Sequence, residues 1–81
     1  MLVTVRLFAR LREIAGTSEL TLDIPPDYDA RALWDDLVRE YPGLAPYGAS
    51  ISCAVNEEYA KFGARLKERD EVAFLPPVSG G

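Results

Sequence analysis

One stretch of this chain reads as a long helix, and it limits what everything else can form. Ala30, Leu33, Trp34, Leu37, Val38 and Tyr41 recur at i, i+3, i+4, i+7, i+8 and i+11, an apolar stripe at helical period. Arg31, Asp35, Asp36, Arg39 and Glu40 fall on the opposite, wet side. Asp27 or Asp29 supplies an N-cap carboxylate, and Pro42-Gly43 ends the helix. A single amphipathic helix cannot bury its own stripe, so it has to lie on a sheet.

The flanking segments supply that sheet. Residues 2–8 alternate, with Val3, Val5 and Leu7 pointing one way and Thr4, Arg6 and Phe8 the other. Residues 9–15 switch to helical spacing through Leu11, Ile14 and Ala15, and Gly16 stops that short helix. Residues 18–24 alternate again, placing Leu20, Leu22 and Ile24 inward. The short link between these strands favours an antiparallel pair, and Pro25-Pro26 ends the second. Residues 44–50 read as a loop and 51–56 as a strand. Asn56-Glu57-Glu58 reverses the chain into a short strand around Tyr59-Ala60. Val72, Ala73, Phe74 and Leu75 form the last strand, closed by Pro76-Pro77. The order is β, short α, β, long α, β, β, β. A mixed sheet wrapped on one long helix is the α+β arrangement called β-grasp, or ubiquitin-like. The expected organisation is a β-grasp domain over 1–75 and an extended C-terminal tail over 76–81.

Composition narrows the function. A chain of 81 residues has a modest core, with little room inside for a substrate-sized cavity. Function is therefore expected on a face, an edge or a terminus. The net charge of −4 repels phosphate backbones, so no nucleic-acid partner is expected. Arg6, Arg10 and Arg12 make the N-terminal segment locally basic, which suits a solvated face or an acidic protein partner. With one cysteine and no histidine there is neither an internal disulfide nor a structural zinc site. The lone thiol fits a cytoplasmic location. Charge arrives at Arg6, too early for a signal peptide, and no apolar run is long enough to span a membrane. No metal or cofactor is expected to be bound by this chain.

The chemistry is expected in the tail, Pro76-Pro77-Val78-Ser79-Gly80-Gly81, read as a free C-terminus. By chance a Gly-Gly ending occurs in roughly one chain in 200, so the pair gains weight only beside the fold. A carboxylate is a poor electrophile and has to be activated, by adenylation with ATP on another enzyme. Gly80 and Gly81 lack a Cβ, which lets the backbone lie in a narrow channel. Pro76 and Pro77 stop the strand and stiffen the base of the tail. From Pro77 to Gly81 the reach is on the order of 15 Å.

These residues resemble a known family. Residues 7–13 (Leu-Phe-Ala-Arg-Leu-Arg-Glu), 54–56 (Ala-Val-Asn) and above all 70–81 are similar to the small sulfur-carrier subunits of molybdopterin synthase, over essentially the whole chain. The resemblance implies that a ubiquitin-activating-like adenylyltransferase forms an acyl-adenylate on Gly81, using ATP. A sulfur donor protein then converts it to a thiocarboxylate. The tail, with Pro76, Pro77, Val78, Ser79 and Gly80 bound along a channel, enters the large synthase subunit within a heterotetramer. There sulfur passes to a pterin precursor, and the large subunit supplies the catalytic residues. The family's docking surface matches Phe8, Tyr59 and Leu75, and Arg10 and Arg12 beside them would meet acidic groups. The tail chemistry is equally that of a carrier for thiamine, amino-acid or tRNA thiolation, or of a protein modifier joined to lysines. A plain interaction domain with an incidental Gly-Gly is the remaining alternative. In one respect the chain departs from the family: Arg69 stands where a glycine usually precedes Asp70. A side chain there disfavours positive φ, so the turn is expected to use another geometry.

The other conspicuous residues have plainer readings. Cys53 shares a strand face with Ile51 and Val55 and reads as a buried structural thiol. Trp34 lies on the helix stripe and reads as core. Asp35 and Asp36 splay apart on the helix rather than converging. Glu57-Glu58 reads as a solvated reversal, and Asp70-Glu71 as a turn rather than a metal pair.

Overall fold

Strand-like segments at five places and helical spacing at two produce the expected order, β1 (Leu2–Leu7), α1 (Ala9–Ala15), β2 (Glu19–Asp23), α2 (Ala30–Glu40), β3 (Ser52–Val55), β4 (Glu58–Ala60) and β5 (Glu71–Leu75). The structure, a computed structural model, describes residues 1–77. The expectations for Val78, Ser79, Gly80 and Gly81 lie outside the described residues. The strands form one sheet in the order β2-β1-β5-β3-β4. β1 is antiparallel to β2 and parallel to β5, while β3 is antiparallel to both β4 and β5. This mixed sheet with one long helix across it is the β-grasp fold.

The core follows from the two periods. Val3, Val5 and Leu7 of β1, Val72 and Phe74 of β5 and Cys53 of β3 meet Ala30, Leu33, Trp34 and Leu37 of α2, all of them buried. Fully burying a Val, Leu or Phe side chain stabilises by roughly 1.5–3 kcal/mol, so this face holds the domain together. Trp34 and Phe74 sit at its centre, ring centroids 5.1 Å apart and tilted by 54°. Asp29, not Asp27, caps α2: its Oδ1 accepts from the Ala32 amide at 2.8 Å. Gly16 ends α1 in the left-handed conformation at φ 76, as its place in the sequence implied.

Two expectations fail, each for a physical reason. Residues 44–50 are not simply a loop, because Pro42–Tyr47 forms a 3-10 helix. It turns Leu44 fully into the core and passes close to α1. A Cβ on Gly43 would sit 2.9 Å from Cγ2 of Ile14. The turn before β5 also keeps the left-handed geometry that an arginine disfavours: Arg69 has φ 69. The surrounding hydrogen bonds over-determine it. The Arg69 amide donates to Leu2 O at 2.7 Å, and the Lys67 amide donates to Asp70 Oδ2 at 2.8 Å. Asn56 Nδ2 holds Asp70 Oδ1 at 2.9 Å, while the Glu71 amide donates to Asn56 Oδ1 at 2.9 Å. Asp70 is thus a buried, fully bonded turn carboxylate. Asn56 (φ 52) and Glu57 (φ 70) form the two-residue hairpin between β3 and β4, both left-handed as a tight reversal of that length requires.

Candidate functional site

The strands that bury Val5, Val72 and Cys53 inward must turn their alternate residues outward. On that outer face the register sets Arg6 of β1 opposite Ala73 of β5, Ala73 opposite Ala54 of β3, and Ala54 opposite Tyr59 of β4. Two alanines in mid-sheet between long side chains leave a depression. It is an open hollow of about 230 Å³ floored by Ala54 and Ala73 and walled by Phe8, Tyr59 and Leu75, with Arg6, Glu57 and Glu71 at its rim. Tyr59 is 80% exposed and Phe8 37%. Large apolar groups gathered on a wet face mark an interaction surface. Leu75 runs directly into half-buried Pro76 and exposed Pro77, so these two residues leave the sheet at the edge of this hollow.

Phe8, Tyr59 and Leu75, separated by as many as 67 positions in sequence, are therefore brought together. Arg10 and Arg12 are not part of the same hollow. Arg10 is on α1, where Nη1 donates to Glu13 Oε1 at 3.0 Å. Its pKa is raised by the Tyr47 hydroxyl first and by Glu13 second. Arg12 is exposed on the same helix. The cation at the rim is instead Arg6, its guanidinium 5.5 Å from the Phe8 ring centroid and 4.0 Å from Glu71. Both partners of that ion pair are well exposed, so its role is in orientation more than stability. Sequence reasoning missed Ala54, Ala73, Glu57 and Glu71. Only the cross-strand register shows that the two alanines adjoin.

Cys53 lies on the other face, buried, its thiol donating to Ala60 O at 3.3 Å. Burial pushes the thiol pKa up, which keeps it protonated and a poor nucleophile. Trp34 is core, as read. Asp36 accepts from the Tyr28 hydroxyl at 2.7 Å and from Arg39, away from Asp35. Among the described residues no group of three or more metal-ligating side chains converges, and no helix is long and apolar enough to cross a membrane.

Fold and site together define a β-grasp protein with an open hollow on its outer sheet face, beside the residues that follow its last strand. The chain belongs to the ThiS family, whose profile matches residues 5–81. It is 40% identical over 79 residues to the molybdopterin synthase sulfur carrier subunit of Arabidopsis thaliana, covering 98% of this chain and 82% of that one. Among solved structures it is similar to SAMP1 from Haloferax volcanii (TM-score 0.87, 32% identity, all of both chains). It is also similar to a chain in the complex of subunits 1 and 2 of molybdopterin-converting factor from Helicobacter pylori (TM-score 0.71, 26% identity, all of both chains).

Proposed function

We propose that this chain is the sulfur-carrier subunit of a molybdopterin synthase, with the carboxyl group of Gly81 as its reactive group. The observation that carries the reading is the position of the hollow. Its walls Phe8, Tyr59 and Leu75 dock a partner at the place where the chain leaves the sheet through Pro76 and Pro77. A tail that starts beside the interface enters the partner's interior as the domain seats outside. The Arabidopsis relative carries the same assignment in its name, and the Helicobacter neighbour was solved in complex with a second subunit.

In this reading a carboxylate oxygen of Gly81 attacks the α-phosphorus of ATP on an activating adenylyltransferase, forming the acyl-adenylate and releasing pyrophosphate. Sulfide-level sulfur supplied by a sulfur donor protein attacks the acyl carbon and displaces AMP, leaving a thiocarboxylate. Pro76, Pro77, Val78, Ser79 and Gly80 then lie along a channel of the large subunit, which supplies the catalytic residues, and sulfur passes to a pterin precursor. The chain is a donor rather than an enzyme by itself. It works in the cytoplasm, where its one thiol stays reduced, within a heterotetramer formed with the large subunit. A second reading, a protein modifier joined through Gly81 to lysines, is favoured by the likeness to SAMP1, described as a small archaeal modifier protein.

Intact-mass analysis after incubation with a competent activating enzyme, ATP and a sulfur donor tests both. The expected product has one terminal oxygen replaced by sulfur, and a chain lacking Gly81 is left unchanged. No exchange in the full chain overturns the carrier reading. Gly81 found in isopeptide linkage to lysines establishes the modifier.

A further inference from the structure

The opposite end of the sheet carries a second opening. β2 is an edge strand, bordered on one side only by β1. The Ile24 amide donates to Met1 O at 2.8 Å and the Leu7 amide to Ser18 O at 3.0 Å. Those bonds, with the register Val3↔Leu22 and Val5↔Leu20, commit the even-numbered residues of β2 to β1. The backbone N–H and C=O groups of Thr21 and Asp23 therefore point out from the free edge. Glu19 is partly occupied locally, because the Thr17 hydroxyl bonds its carbonyl at 3.0 Å.

Directly under that edge, between β2 and α2, lies an open hollow of about 250 Å³. Its apolar lining is Leu20, Leu22, Ile24, Leu37 and Tyr41, and the remaining lining residues are Asp23, Asp36 and Glu40. The size is below that of a typical small-molecule site and suits one or two aliphatic side chains. Asp23 already faces the N-terminal ammonium at 3.0 Å, and Asp36 faces Arg39. Glu40 has no ion-pair partner among the described residues. All three charged lining groups are carboxylates.

We infer that the β2 edge and the β2–α2 hollow form a docking site for an extended protein segment in which aliphatic residues alternate with lysine or arginine. Strand addition satisfies the outward backbone groups of Thr21 and Asp23. Alternate aliphatic side chains fill the hollow, the lysines between them lie on the opposite face of the sheet beside Glu19 and Asp23, and a terminal cation beyond the paired residues reaches Glu40. A second copy of this chain is the wrong occupant: edge-to-edge pairing of two β2 strands brings Glu19 and Asp23 against the same residues of the other copy, which repels. The site sits on the helix side of the sheet, on a strand that takes no part in the hollow around Phe8, Tyr59 and Leu75. Both are open to occupation together, and the inference does not depend on the sulfur-carrier reading.

The test uses the full isotopically labelled chain and the capped peptide Lys-Val-Lys-Leu-Lys-Val-Lys, followed by NMR and amide hydrogen exchange. The expected result is saturable shifts at residues 19–24 and at Leu37 and Glu40, with slowed exchange of the Thr21 and Asp23 amides. A peptide with glutamate in place of each lysine should not bind. Glu40→Lys, at an exposed position, should weaken binding about fivefold and leave the spectrum of the free chain folded. Thr21→Pro, which removes an outward N–H without touching the bonds to β1, should abolish the exchange protection. Three results overturn the proposal: no binding, equal binding of the glutamate peptide, or binding that leaves exchange of Thr21 and Asp23 unchanged.

Discussion

The two faces of the sheet are made by the same strands, often by adjacent residues, and they do opposite work. On the inner face Val5, Val72 and Phe74 are fully buried against α2. On the outer face Arg6, Ala73 and Leu75 stand in or around an open hollow. Phe74 and Leu75 are neighbours in the chain, yet one closes the core and the other borders the root of the tail. A strand's period of two is what separates them. Core and surface hollow in this domain are thus divided by parity along the strand rather than by region of the sequence.

Substitution can break that division or sharpen it. The largest effect is expected from Phe74→Ala, which removes a ring packed on Trp34 and Phe62 with centroids at 5.1 and 6.3 Å. The cost should be about 3–5 kcal/mol, a large part of what a small domain has in total, and urea unfolding reads it directly. Next is Leu75→Glu, on the outer face. It should change unfolding stability by less than about 0.5 kcal/mol and weaken binding to a large synthase subunit by roughly 2–4 kcal/mol, measured by calorimetry. If Leu75→Glu unfolds the chain as Phe74→Ala does, parity does not divide the two roles. The smallest effect comes from a site on neither face. Arg69→Gly should raise stability by about 0.5–1 kcal/mol, because glycine takes φ 69 without strain but loses more freedom on folding. The thermal midpoint should rise by a few degrees with docking unchanged, which isolates a pure backbone contribution.

How far the residues alone reached differs from element to element. The α2 stripe, the alternation in β1 and β5, the Gly16 stop and the buried thiol of Cys53 are all legible, because each depends on neighbours within a few positions. The walls of the outer hollow, Phe8, Tyr59 and Leu75, come with the family resemblance, and the alternation agrees for Phe8 and Leu75. The 3-10 helix over Pro42–Tyr47 is not legible. Two prolines and a glycine suggest a loop until the burial of Leu44 is known. Nor is the conformation of Arg69, where bonds to Leu2 and through Asp70 to Asn56 outweigh an intrinsic preference of about 1 kcal/mol.

What the sequence determined by itself is which side chains share a face, since pleat and helical pitch are local properties of the backbone. What only the tertiary structure decided is which of those faces' residues become neighbours. The parallel pairing of β1 with β5, the antiparallel pairing of β5 with β3 and of β3 with β4 set Arg6, Ala73, Ala54 and Tyr59 in one row. Those contacts span up to 67 positions of chain, and their register is fixed by the packing of Val5, Val72, Phe74 and Cys53 on the other side of the sheet. The hollow is thus the reverse of the core, shaped by residues that never touch it.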